Sequence, residues 1–164
     1  MCDIIKVVDK STTGGNMNTN RFLIFYQSFN SIVKDIKKME MAYMSEYGLR
    51  AVHMGCLIYI GSSEKGMTVT ELAKACDKDK ALISRTLKEL MDDGFVITHS
   101  SAKTYNKRYL LTPKSEEIVS AINNDIERYI VAARGDSPDE DIDTFYRVLA
   151  NFVKNISLIA DDGQ

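Results

Sequence analysis

Along most of this chain the apolar residues fall three and four positions apart, the spacing of a helix with one buried face. Phe22, Phe25, Phe29, Ile32, Ile36, Met39 and Tyr43 keep that alternation without a break. They predict one long helix, starting near Arg21 and stopped by Gly48, with a heptad seam on one side. Leu49 to Ile60 is apolar on most sides (Val52, Met54, Cys56, Leu57, Tyr59), which predicts a helix buried centrally. The sequence Gly61-Ser62-Ser63-Glu64-Lys65-Gly66 reads as a loop. After Pro113 the spacing of Ile118, Ile122, Ile126, Tyr129 and Ala133 predicts a helix to about Arg134, stopped by Gly135-Asp136. Ser137-Pro138-Asp139-Glu140 then has the form of a helix start, with Ser as cap and Pro at the first position. The final helix carries a second seam: Ile142, Phe145, Leu149, Phe152, Ile156 and Ile159. Residues 1–20 contain the linker-like Ser11 to Asn16 and read as a mobile tail or lead-in.

Between Thr68 and Pro113 the pattern shortens and turns basic. Thr70 precedes Glu71-Leu72-Ala73-Lys74-Ala75, all good helix formers. Thr68 with Glu71 also fits a capping box, so either threonine can start this helix. Cys76-Asp77-Lys78 breaks it, and Asp79 can cap a second helix from Lys80 to about Met91. Ile83, Leu87 and Leu90 give that helix one apolar face. The other face shows Lys80, Ala81, Ser84, Arg85 and Lys88, small or cationic side chains suited to a major groove. Leu82 lies near that face and could meet a thymine methyl or pack partly in the core. Asp92-Asp93-Gly94 ends the helix, with Gly94 as a left-handed cap. Phe95 to Thr98 is β-branched and aromatic, and Tyr105 to Thr112 reads as its return strand. The polar tip between them holds Lys103, with Lys107 and Arg108 just after it. Two short helices followed by a basic hairpin predict a winged helix-turn-helix, whose wing reaches phosphates or a minor groove. The fold class is mainly α with a small β wing, flanked by N- and C-terminal helices.

Charge changes the picture. The net charge of −2 alone argues against a nucleic-acid binder. Its distribution does not: residues 65–114 hold ten Lys/Arg and six Asp/Glu, a net +4, against eleven and seventeen elsewhere, a net −6. The positive charge is concentrated on the predicted reading part, as a local footprint requires. There is no apolar run long enough to span a membrane. The first ten residues lack the pattern of a signal peptide. Three widely spaced cysteines (Cys2, Cys56, Cys76) fit a reducing cytoplasm rather than a disulfide framework.

The ordered set TELAKA, DKALISRTLKEL, DDGFV and LLTPKSEEI resembles the multiple-antibiotic-resistance-regulator (MarR) family of bacterial transcription factors. The likeness runs from about Phe22 to Ile159 because the flanking helices match too. It implies a single domain over 21–164, with 48–113 as the winged helix-turn-helix and 21–47 and 114–160 as dimerisation helices. It implies a homodimer on double-stranded, pseudo-palindromic DNA, with Thr70, Lys80, Ala81, Leu82, Ser84, Arg85, Lys88, Lys103, Lys107 and Arg108 at the DNA. Phe22, Phe25, Phe29, Phe145, Leu149, Phe152 and Ile156 would then face the mate, since a small wing domain has no internal use for two seam-like helices. It also implies a repressor released by a small aromatic or amphipathic effector, with Tyr43, Tyr47, His53, Met54 and Tyr59 as the pocket, although aromatic and Met clusters also simply fill cores. One departure stands out. The family's wing holds an Asp-x-Arg pair ahead of its Leu-Thr, and here Lys103 and Tyr105 occupy those places.

Other chemistries find little support. GSSEKGMT imitates a phosphate loop, but Met67 stands where the lysine is needed and no strand precedes it. No nucleophile–base pairing, metal set or cofactor motif marks an enzyme. His53 and His99 are structural or incidental on this reading, since a metal needs further ligands than Cys56 offers. Cys2 or Cys56 as a redox sensor, as in some relatives, would need an exposed thiol of low pKa. Cys56 falls in the buried helix and Cys2 in the tail. A winged module that binds protein instead of DNA would not need Ser84, Arg85, Lys88 and a basic wing.

Overall fold

The computed structural model describes residues 17–98 and 107–162. The chain divides into two compact units, Met1–Glu116 and Glu117–Gln164.

The first unit begins with α1 (Met17–Ser45), the long seam helix, which starts four residues before Arg21. Its end is a tight turn: Gly48 takes φ +69° and the Leu49 N–H donates to the Met44 carbonyl at 2.9 Å. The second helix is α2 (Ala51–Gly61), two residues shorter at its start than the apolar run. Then come α3 (Val69–Ala75) and α4 (Lys80–Asp92), followed by β1 (Val96–Thr98) and β2 (Tyr109–Leu111). The strands pair antiparallel in the register Val96↔Leu111, Ile97↔Leu110 and Thr98↔Tyr109. They are shorter than the β-branched runs suggested, and the tip that holds His99, Lys103 and Tyr105 lies outside the described residues. Gly94, at φ +73°, is the left-handed cap.

The core of this unit is made by α2, α3, α4 and β1. Leu57, Leu72, Ile83, Leu87 and Leu90 are fully buried, and Phe95 and Val96 nearly so. Each such side chain contributes about 1.5–3 kcal/mol of burial. The helix-turn-helix therefore rests on α2 as a platform, which agrees with an α2 that is apolar on most sides.

The loop after β2 is pinned to this core. Thr112 Oγ1 donates to the Gly94 carbonyl at 3.0 Å, and buried Ser115 donates to the Phe95 carbonyl. Lys114 Nζ stands 3.9 Å over the Phe95 ring. Here α5 (Pro113–Arg134) begins, and its remainder belongs to the second unit together with α6 (Asp139–Asp162). Gly135 at φ +54° turns the chain between them, and Arg134 pairs with Asp139 across that turn. The last helix starts at Asp139, one residue later than Pro138 had suggested. Much of its apolar seam is solvent-facing: Phe145 is 54% exposed and Ile159 71%. Among the described residues no helix is long and apolar enough to cross a membrane.

Candidate nucleic-acid interface

The site is built around α4, and its local sequence fixes both ends of α3 and α4. Thr68, not Thr70, caps α3. Its side chain accepts from the Glu71 N–H at 3.2 Å, and Glu71 accepts from the Thr68 N–H at 2.8 Å. That reciprocal box satisfies two otherwise orphaned donors. Thr70 is thereby the second residue of the helix and exposed. The helix ends at Cys76, and Asp77 turns the chain at φ +50°, a left-handed conformation that asparagine and aspartate tolerate better than most residues. Asp79 then caps α4 by accepting from the Leu82 N–H at 2.8 Å.

The period of α4 separates its two faces. Ile83, Thr86, Leu87 and Leu90 are buried, while Lys80, Ala81, Ser84, Arg85 and Lys88 are exposed in one stripe. Leu82 is half-buried at the edge between them. The Arg85 guanidinium folds back on the Ala81 carbonyl at 3.4 Å, which leaves the head at the surface.

Behind this face α4 is braced by residues that spacing does not reveal. Glu89 pairs with Arg50 and with His53, whose Nε2 lies 2.9 Å from the carboxylate. His53 Nδ1 accepts from the Arg50 N–H at 3.0 Å, so the neutral ring carries its proton on Nε2 and donates it to Glu89. These contacts from His53 and Arg50 hold the Glu89 carboxyl below the usual carboxylate range. His53 is therefore a buried strut between α2 and α4.

The wing root is braced in a similar way. Met67 and Tyr109 exchange hydrogen bonds of 3.0 and 2.8 Å. Arg108 donates to the Gly66 carbonyl at 2.7 Å and to Glu71 at 2.9 Å. The backbone of Thr68, its hydroxyl and Arg108 together lower the Glu71 pKa. Arg108 was expected at the DNA on its place in the wing; here its guanidinium is engaged on the protein and joins β2 to the start of α3. Lys107 lies 5.6 Å over the Tyr109 ring, within cation–π range. Lys103 lies outside the described residues.

Of the five pocket candidates, Tyr43 and Tyr47 are in contact with each other, ring to ring at 5.7 Å in α1 and the turn after it. His53 is directed at Glu89, and Tyr59 lies six residues further along α2, about 240° round the helix, where it is 40% exposed. Met54 is half-buried. Among the described residues no group of three or more His, Cys, Asp or Glu gathers to hold a metal.

Residues 47–104 match the family model described as MarR family. No protein of curated function matches the sequence. Solved structures share the fold. The transcriptional regulator SlyA aligns over 81% of this chain and 94% of its own, at 18% identity and a TM-score of 0.72. A MarR family regulator from Listeria monocytogenes, solved with a 26mer DNA, covers 80% and 87% at 19% identity and a TM-score of 0.71. Staphylococcus aureus MarR, in complex with salicylate and kanamycin, covers 82% and 90% at 22% identity and a TM-score of 0.65. The matched segment holds the helix-turn-helix, and the fold of the rest is the one these regulators share. Residues 47–104 are thus similar to the MarR family, and the chain as a whole has the winged helix-turn-helix fold of these solved regulators.

Proposed function

We propose that this chain is a homodimeric, sequence-specific DNA-binding regulator of the cytoplasm, a repressor released by a small aromatic or amphipathic ligand. The observation that carries DNA binding is the exposed stripe Lys80, Ala81, Ser84, Arg85 and Lys88 on a helix capped and braced from behind. Small residues let the helix approach base edges, and the cations meet phosphates or guanine. Thr70 at the exposed start of α3 and Lys107 at the wing root complete the surface. Lys103 and Arg108 belong to it on the family likeness, with Arg108 acting first by holding the root. Leu82 sits where a thymine methyl would meet it.

Two observations support the dimer. On α1, Phe22 is 59% and Ile32 53% exposed, with Phe25 and Phe29 half-buried beside them. On α6, Phe145, Phe152 and Ile156 are exposed, with Leu149 half-buried. Apolar faces of this extent are commonly covered by a partner, and a twofold mate would set two α4 helices for two half-sites. Ligand release rests on the family and on the Staphylococcus aureus relative solved with salicylate. Tyr43, Tyr47, His53, Met54 and Tyr59 remain its proposed neighbourhood.

The test is a selection of bound genomic fragments by the purified protein at two salt concentrations. Recovery of an inverted repeat, with half-sites about one helical turn apart, is the expected result. Failure to retain DNA at either salt would overturn the reading and favour a protein-binding winged module.

A further inference from the structure

Both nitrogens of the buried His53 ring are already committed. Nδ1 accepts from the Arg50 N–H at 3.0 Å, and Nε2 lies 2.9 Å from Glu89 Oε2. The Arg50 guanidinium pairs with that same Glu89 oxygen. The His53 backbone N–H in turn donates to the Arg50 carbonyl at 2.9 Å. One ring thus closes the first turn of α2 and holds α4 by Glu89. That carboxylate follows Lys88 of the exposed stripe and stands three residues before α4 ends at Asp92.

We infer that His53 is a positioning residue for α4 that works only as the neutral ring, so that its protonation releases the reading helix and weakens DNA binding in mild acid. The effect on DNA rests on the proposed function; the proton-operated strut does not.

A neutral imidazole has one donor and one acceptor, and this site supplies one partner for each. An imidazolium has two donors and no acceptor. Its second proton would stand on Nδ1, facing the Arg50 N–H, donor against donor. The Arg50 amide then loses its acceptor and the ring has to turn from it. The residue is only 4% exposed, so the ring cannot turn without moving the first turn of α2. Glu89 follows, because its attraction to the ring rises with the ring's charge, and α4 follows Glu89. Protons reach the cluster from solvent through the side chains of Glu89 and Arg50, which are 46% and 63% exposed.

The charged groups that meet the ring among the described residues come from two elements, Glu89 on α4 and Arg50 at the cap of α2. The ion pairs of α1 and of the wing root, Lys38 with Asp35 and Arg108 with Glu71, involve neither. Glu89 favours a second proton on the ring, while the Arg50 charge and N–H oppose it. Its hydrogen bonds with His53 and Arg50 hold the Glu89 carboxyl below the usual carboxylate range, so in mild acid the carboxylate keeps its charge. Imidazole is the side chain that ordinarily changes charge between pH 5 and 8. The sign is also diagnostic. An added positive charge ordinarily strengthens a DNA complex through the phosphates, whereas release of the strut weakens it.

Affinity of the full-length protein for its selected duplex is measured from pH 8 to 5.5 at constant ionic strength, with the fold checked by circular dichroism at each pH. Wild-type affinity should fall about tenfold or more across this range, since a site that excludes one proton loses up to a factor of about ten per pH unit below the ordinary imidazole pKa of about 6.5. His53→Gln can still donate to Glu89 through its amide and does not titrate. It should bind nearly as well as the wild type at pH 8 and show a flat profile. His53→Asn reaches Arg50 but not Glu89, and should bind more weakly at every pH, also with a flat profile. His99→Gln should keep the wild-type profile. Wild-type affinity that stays level or rises in acid, or a slope that persists in His53→Gln, overturns the inference. A second arm needs no DNA. Nitrogen-15 spectra should show the His53 proton on Nε2 at pH 8, and the Arg50 amide should shift on acidification with the midpoint of the ring itself. An Arg50 amide indifferent to that titration overturns the strut. A protein that retains no DNA at any pH condemns the DNA reading, and the spectra still decide the strut.

Discussion

Gly66 is the position where a single methyl group should do most to the reading surface. It takes φ +68°, and a Cβ built there would stand 2.3 Å from the Tyr109 carbonyl oxygen, and 3.0 Å from Leu110 Cγ. The close neighbour is main chain, so no rotamer change relieves the contact. Gly66→Ala must therefore move β2 off the loop. That forfeits the Met67–Tyr109 pair of hydrogen bonds and disturbs the bond from Arg108 to the Gly66 carbonyl. The left-handed alanine costs about 1–2 kcal/mol, and the two main-chain bonds are worth about 1 kcal/mol each. The expected destabilisation is about 3–4 kcal/mol. Gly48→Ala is the control, since Gly48 sits at φ +69° with nothing within 4 Å of its built Cβ. It should lose only the conformational part, about 1–2 kcal/mol. Urea melts at one fixed protein concentration separate the two. At a slope of about 2 kcal/mol/M, the Gly66 midpoint should fall about 1 M further than the Gly48 midpoint. Equal shifts for the two glycines would refute the clash, and with it the claim that the wing root is held by main-chain contact.

Four further outcomes can be measured. Arg85→Ala should weaken duplex binding and flatten its dependence on salt by about one unit of slope if it meets a phosphate, or relax specificity by about 1–3 kcal/mol if it meets guanine; unchanged titrations would remove it from the interface. Phe152→Asp should convert a sedimenting dimer to a monomer, and a wild type that already sediments as a monomer would reject the mate. Glu71 and Glu89 both have lowered carboxyl pKa values in the folded chain, from their hydrogen bonds to Thr68 and Arg108 and to His53 and Arg50. Their contribution is thus present above the ordinary glutamate pKa of about 4.3 and lost as the pH falls through the folded values; thermal melts from pH 6 to 3 should drop less steeply for the Glu71→Gln, Glu89→Gln double variant, and parallel slopes would contradict this. Finally, Asp77→Gly should raise the melting temperature, because glycine accepts the positive φ without strain; a loss of stability would mean that the Asp77 carboxylate has a structural task.

What the chain order revealed and what it hid divide by distance along the sequence. The faces of α4 could be read from one turn of helix, and Ile83, Leu87 and Leu90 are buried as their spacing implies. The capping box at Thr68 and Glu71 and the left-handed Gly94 are equally local. Thr86 also lies on the buried face, which a pattern of apolar residues alone does not reveal; it is fully buried, and no hydrogen-bond partner for Oγ1 is found among the described residues. The braces escaped for a different reason. Arg50 and Glu89 are 39 residues apart, Glu71 and Arg108 are 37 apart, and only the tertiary fold juxtaposes them. A sequence reading assigns a wing arginine to DNA because nothing local competes for it.

The double duty of Glu71 has a kinetic meaning. One carboxylate closes the first helix of the motif and grips the root of the wing, so helix and strand form a stiff linkage without a hinge. Once one of them has docked on a duplex, the other is already presented at a high effective concentration, and its binding step requires little further ordering. On the proposed DNA-binding reading, loosening that grip, as in Glu71→Ala, should therefore lengthen the search for the second groove and shorten residence.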